Sequence, residues 1–250
     1  MASKQSKRKR PSKDKHVLKE RVKLESEVFD RYTLLILAKM IKKRIIQTVD
    51  YPVSTGKEAN LFRATNYAGE YIAVKIYKIE TAPFARKEEY LMGDPRFANI
   101  PNKEKDIVFA FAKKEYKNLK ICEEAGVRSP EPLYIEKNVL VMEFLGEEGL
   151  PYPPMNMVGP KDEKQLEMIL NDIKKMYNAG LVHADISEYN ILVGDVPYLI
   201  DFGQAVVLGH PNAEKFLERD IWNLLKYFKK YGIGKNPEEV LKWIRDGSSK

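Results

Sequence analysis

The chain has 250 residues, 44% of them hydrophobic and 32% charged, with a formal net charge of +7. That suits one large domain or two small ones of ordinary globular composition. A single cysteine, Cys122, excludes an internal disulfide and a cysteine-based zinc site, which points to a reducing, intracellular setting.

The charge is unevenly placed. Over residues 1–23 ten Lys or Arg face only Asp14 and Glu20, so this stretch accounts for the whole positive excess. It is too polar to bury the surface that would offset its ordering entropy, and a flexible arm is expected. Two readings of it stay open: a solubilising tail, or an arm that gains affinity for nucleic acid by releasing counterions from phosphates. No secretory apolar stretch comes after it, and the longest apolar run, 34–38, falls far short of the ~20 residues of a membrane span. A soluble, cytoplasmic protein is expected.

Residues 24–40 place Leu24, Val28, Tyr32 and Leu35, then Ile36 and Met40, at roughly helical spacing, which predicts a helix packed on the segment C-terminal to it. Then the period changes. Stretches 45–51, 59–65 and 71–77 are rich in β-branched and aromatic residues, and Ser54-Thr55-Gly56 and residues 66–69 punctuate them. This pattern predicts an antiparallel meander. Pro83, Gly93, Pro95 and Pro101 mark a long irregular stretch to Asn102, of the kind that is functional or disordered.

Helical spacing resumes over 106–124 (Ile107, Phe111, Glu115, Leu119, Cys122) and stops at Gly126; 133–136 and 139–144 then predict a hairpin about Lys137-Asn138. Gly and Pro between 146 and 160 predict a hinge and linker. Helices are expected over 161–178, with Leu166, Ile169, Leu170 and Ile173 on one face, and over 213–231, with Phe216, Leu217, Ile221 and Leu224. Two short strands, 191–193 and 198–200, lie between them. The expected organisation is an arm over 1–23, a helix and small lobe over 24–145, and a helical lobe over 146–250, in the α+β class.

The chemistry concentrates in His183-Ala184-Asp185-Ile186-Ser187-Glu188-Tyr189-Asn190 and in Leu199-Ile200-Asp201-Phe202-Gly203-Gln204. A lone Asp in a turn is usually there for the turn. Here, however, His-x-Asp, Asn at plus five and Asp-Phe-Gly recur together, as in the catalytic and metal loops of protein kinases. Phosphoryl transfer needs a carboxylate near the attacking hydroxyl and oxygen ligands for magnesium. Asp185, Asn190 and Asp201 supply that set. Lys75, ending Ile72-Ala73-Val74-Lys75, resembles the kinase lysine that holds the α- and β-phosphates, and Glu115 is its natural partner, although Glu123 and Glu124 share the helix.

No Gly-x-Gly-x-x-Gly precedes Lys75. Ser54-Thr55-Gly56-Lys57-Glu58-Ala59 stands in its place. A Walker-type reading fails because the earlier glycine is missing and Glu58 sits where Ser or Thr should bind the metal. With Gly56 for the turn, backbone donors, two hydroxyls and Lys57, the segment can still cover phosphates.

These three passages together resemble the RIO family of atypical serine/threonine protein kinases, in particular its first subfamily. The Ala184-Asp185 and Asp201-Phe202-Gly203-Gln204 steps differ from the Gly-Asp and Asp-Phe-Pro-Gln typical of the second. The resemblance implies a two-lobed protein-kinase-like fold with a truncated large lobe, and no Ala-Pro-Glu comes after Asp201. It implies ATP with Mg2+, or Mn2+, as cofactors. By the same resemblance Asp185 is the catalytic aspartate, Asn190 and Asp201 bind the metal, and Asp201 is also a candidate acceptor of the phosphoryl group. Met142 would border the adenine, and the backbone of Glu143 and Leu145 would hydrogen-bond it. The family's role implies a small ribosomal subunit precursor as partner and ATPase activity beside protein phosphorylation. Two alternatives are a small-molecule kinase of the aminoglycoside or choline type and a non-catalytic assembly factor that binds nucleotide.

Overall fold

The computed structural model describes residues 29–79, 90, 93–97 and 103–246. The basic arm expected over 1–23, residues 24–28 of the first expected helix and most of the irregular stretch up to Asn102 lie outside the described residues. Within that stretch a single 3-10 turn, Pro95–Phe97, is described.

Helix α1, Arg31–Lys42, starts where the Asp30 carboxylate accepts the amides of Tyr32 and Thr33 at 2.8 and 2.9 Å, satisfying donors that have no partner inside the helix. Its inner face, with Ile36, Leu37 and Met40, packs on one side of a five-stranded antiparallel sheet. The strands are β1 (Thr48–Thr55), β2 (Ala59–Thr65), β3 (Tyr71–Tyr77), β4 (Pro132–Glu136) and β5 (Val139–Glu143), in the order β1-β2-β3-β5-β4. Both edge strands contain proline, Pro52 and Pro132, where a missing amide costs no ladder bond. The first strand is displaced from the expected 45–51. Ile45 donates its amide back to Met40, closing α1, and Ile46 is fully buried in the core beneath it. Ser54 and Thr55, expected to break the strand, instead continue it opposite Leu61 and Asn60.

Helix α2, Glu104–Glu124, crosses the other face and inserts Val108, Phe111, Ala112, Leu119 and Cys122. It ends at Gly126, whose φ of 66° is in the left-handed region that glycine enters without strain. The expected linker over 146–160 is ordered into a small hairpin, β6 (Gly146–Glu147) with β7 (Leu150–Pro151), and a turn of helix, α3 (Met155–Val158). The Gly149 carbonyl accepts from Tyr51 at 2.6 Å and Arg63 at 3.0 Å, which ties the hairpin to the sheet.

The helical lobe packs α4 (Glu163–Asn178), α5 (Ala213–Lys229) and α6 (Pro237–Arg245) around one apolar core. Between them lie two small ribbons, β9 (Ile191–Val193) with β10 (Pro197–Leu199), and β8 (Leu181–Val182) with β11 (Val206–Val207). Helix α6 and the β8/β11 pair are additions to the expected elements. The helix does carry a start signal, since Asn236 caps the Glu238 amide and Pro237 begins the first turn.

Candidate active site

A cleft of about 860 Å³ opens between the sheet and the helical lobe. Ser54, Gly56, Lys57, Glu58 and Ala59 form part of its roof, with Lys75 and Glu115 at the back. Met142, Glu143 and Leu145 form the connecting edge, and Asn190 and Asp201 the floor. Thr55 and Asp185 are outside the lining; Asp185 sits one hydrogen bond behind it, through Asn190.

Lys75 lies in β3, between Leu61 of β2 and Leu140 of β5, so its stem is held by the middle of the sheet. Its ammonium reaches Glu115 Oε1 at 2.7 Å and Asp201 Oδ1 at 3.0 Å. Burial works against the cation, but Asp201 and Glu115 together outweigh it and hold Lys75 above the ordinary lysine range. Lys75 in turn holds the Asp201 carboxyl below its usual range, and burial pushes Glu115 up. Glu115 also accepts the Tyr77 hydroxyl. The helix alternatives are settled by geometry: Glu123 pairs with Lys120 at the surface and Glu124 is exposed.

On the floor, the Asn190 carboxamide donates to the Asp185 backbone oxygen at 2.9 Å and to Oδ2 at 3.0 Å. Burial, reinforced by the nearby Asp201 charge, pushes Asp185 up to about 6, near the range in which a carboxylate accepts a proton efficiently at neutral pH. Ala184 and Asp201 have φ of 64° and 66°. Neither is glycine, and left-handed backbone at such residues costs energy and clusters at functional sites. The strained loop is tied down from below. Asp220 of α5 accepts the Ile186 amide at 3.1 Å, and Arg219 donates to the Ala184 carbonyl. Burial pushes Asp220 up to about 7.

His183 is a structural group. Its Nε2 donates to the Ile200 carbonyl at 3.0 Å, its ring packs at a tilt against Phe202, and burial lowers it to about 4. Sequence reasoning passed over Asp220 and Tyr77. A carboxylate on the apolar face formed by Phe216, Leu217 and Ile221 was the available signal for Asp220. The Glu143 amide is committed to the Glu131 carbonyl at 2.8 Å, so what residue 143 can offer a base is its carbonyl.

The donor set suits a hard cation. Among the described residues no group of three or more His, Cys, Asp or Glu could cage a metal. Magnesium, though, is commonly held by one or two protein oxygens plus substrate phosphates, and the Asn190 carboxamide and Asp201 carboxylate face the same cleft.

The sequence matches the RIO domain family over residues 60–240. The RIO-type serine/threonine-protein kinase Rio1 of Haloferax volcanii is 37% identical over 226 residues, covering 89% of this chain and 77% of the relative. Rio1 of Thermoplasma acidophilum is 40% identical, covering 74% and 98%. The human serine/threonine-protein kinase RIO1 is 35% identical, and there this chain spans 40% of the relative's length. Among solved structures, the Rio2 kinase ADP/Mg2+-phosphoaspartate complex of Chaetomium thermophilum superposes with a TM-score of 0.63 at 22% identity. That superposition covers 82% of this chain and 64% of the other, and it bears out the two-lobed α+β kinase-like fold. With a family match across most of its length, and relatives named Rio1 at 37–40% identity, the chain belongs to the RIO family.

Proposed function

We propose that the chain is an atypical serine/threonine protein kinase that uses ATP and Mg2+ to transfer the γ-phosphoryl group. The observation that carries this reading is the convergence of Lys75, Glu115 and Asp201 with the Asp185–Asn190 pair across one cleft. Lys75, kept charged by two carboxylates, takes the α- and β-phosphates, and the segment from Ser54 to Ala59 covers them. Met142 borders the adenine, and the backbone of Glu143 and Leu145 binds its edge. Asn190 and Asp201 hold the metal, which when bound neutralises charge on the phosphates. Asp185, poised by burial, orients the acceptor hydroxyl and takes its proton.

A further part of the proposal is that Asp201 itself can receive the phosphoryl group. Its side chain is 49% exposed to the cleft, and the Chaetomium Rio2 structure is named as a phosphoaspartate complex. One carboxylate oxygen would attack the γ-phosphorus while the bond to the β-phosphate oxygen breaks and ADP leaves; water then hydrolyses the acyl phosphate, giving ATPase turnover. The family resemblance and the basic arm support a small ribosomal subunit precursor as partner, and the single buried thiol, Cys122, suits the cytoplasm. The test is to quench protein in acid after brief incubation with γ-labelled ATP and magnesium, then add hydroxylamine, which cleaves acyl phosphates and spares phosphoserine and phosphothreonine. Label released by hydroxylamine and absent from Asp201→Asn supports the acceptor role. Resistant label on serine or threonine leaves a kinase without it. No label and no free phosphate rejects the whole reading.

A further inference from the structure

Three polar side chains that the proposed chemistry does not use are buried beside the metal loop. Lys114 and Asn118, one turn apart on α2, are completely inaccessible, and Asp94 is 1% exposed. Their partners are specific. Lys114 Nζ donates to the carbonyls of Gly203 at 3.0 Å and Ala205 at 2.5 Å. Asn118 Nδ2 donates to those of Phe202 and Ala205, each at 2.9 Å. Three carbonyls just beyond Asp201 in the chain are thus held by the helix that carries Glu115.

Asn118 is held in turn. Its Oδ1 accepts Arg96 Nη2 at 2.9 Å, and Arg96 is fixed on Asp94 by a two-pronged pair, Nε to Oδ1 at 2.9 Å and Nη2 to Oδ2 at 2.6 Å. The loop also sits close to α2. A Cβ on Gly203 would come within 2.7 Å of the Phe111 ring, and one on Gly93 would meet the His210 ring at 2.3 Å. Packing alone does not call for an ammonium at position 114. An apolar side chain of similar length would fill the space without the desolvation that pulls Lys114 down to about 7.

We propose that Lys114 and Asn118 are positioning residues that set the Asp201 carboxylate by fixing the carbonyls beyond it, and that the Asp94–Arg96 pair locks Asn118 in the rotamer that does so. The helix then positions both ends of the site as one rigid body: Glu115 places Lys75, while Lys114 and Asn118 place Asp201. The role assigned to Asp201 rests on the function proposed above. The clamp itself is a statement about the loop.

Two readouts separate the clamp from that function. In the nucleotide-free protein, Asn118→Leu is expected to speed amide hydrogen exchange across 201–206 about ten-fold or more, with exchange in α4 unchanged. By calorimetry, the gain in ADP affinity on adding Mg2+ is expected to fall ~10-fold or more, the usual cost of losing a group that orients a metal ligand, with ADP alone binding as before. Arg96→Ala, at a partly exposed side chain, should shift both in the same direction by a smaller factor, and it decides the matter if Asn118→Leu does not fold. A lower melting temperature with unchanged loop exchange and unchanged magnesium coupling overturns the proposal. If wild-type ADP affinity shows no response to magnesium, the metal reading fails and the exchange result alone decides the clamp.

Discussion

His183 makes the fold sensitive to acid in a calculable way. It is 1% exposed, and burial lowers its pKa from the ordinary 6.5 to about 4 despite the opposing pull of Asp201 and the Ile200 carbonyl. A depressed folded-state value means that the unfolded chain binds the proton more readily. The associated stability is therefore complete above pH 6.5 and is lost as pH falls through 4. From pH 8 to pH 5 the loss works out at about 2 kcal/mol, or ~4–8 °C in melting temperature for a chain of this size. In His183→Gln, which keeps a donor for Ile200 but cannot ionise, that component disappears. The assay is urea unfolding of both proteins at pH 8 and pH 5. Asp185 and Asp220, whose raised values act in the opposite sense, are present in both and cancel in the difference. The stability advantage of wild type over the variant should shrink by about 2 kcal/mol on acidification. An advantage that stays constant refutes the buried, neutral imidazole.

Asp185→Asn is expected to lower turnover by at least ~10²-fold while ADP affinity stays within a few-fold, because the role proposed for the residue is to handle the acceptor proton and not the nucleotide; steady-state phosphate release and calorimetry check the two halves. Glu115→Gln breaks a buried pair and should cost about 3 kcal/mol in thermal or urea unfolding, whereas Glu123→Gln at the surface should cost less than ~0.5 kcal/mol. The reverse ranking would mean that the lysine partner has been misassigned. Removing residues 1–23 should leave ATP turnover unchanged but flatten the salt dependence of binding to precursor-subunit RNA, and an unaltered slope would leave the arm a solubilising tail.

The candidate catalytic set was legible because it is local. Asp185 and Asn190 are five residues apart on one loop, and Asp201 comes after a short ribbon, so residue type and spacing carry the pattern before any fold exists. The long helices were legible for a similar reason, since a buried stripe repeated every three to four residues is written in the sequence itself. Short elements left no such trace. The β8/β11 pair is two residues long on each side and joins Val182 to Val206, and two residues have no period to detect. Strand β1 ran past its expected end because pairing with β2 decided the fate of Ser54 and Thr55, overriding their turn preference. Helical spacing favoured Glu115 over Glu123 and Glu124 as the partner of Lys75, and tertiary structure made the pair, because it depends on which face of α2 meets Lys75. Only tertiary structure singled out Lys114 and Asn118. In the sequence they are polar residues on a helix like any others, and their partners are backbone carbonyls more than eighty positions away. A backbone carbonyl is the same group at every residue, so only the folded chain shows which ones a buried donor must reach.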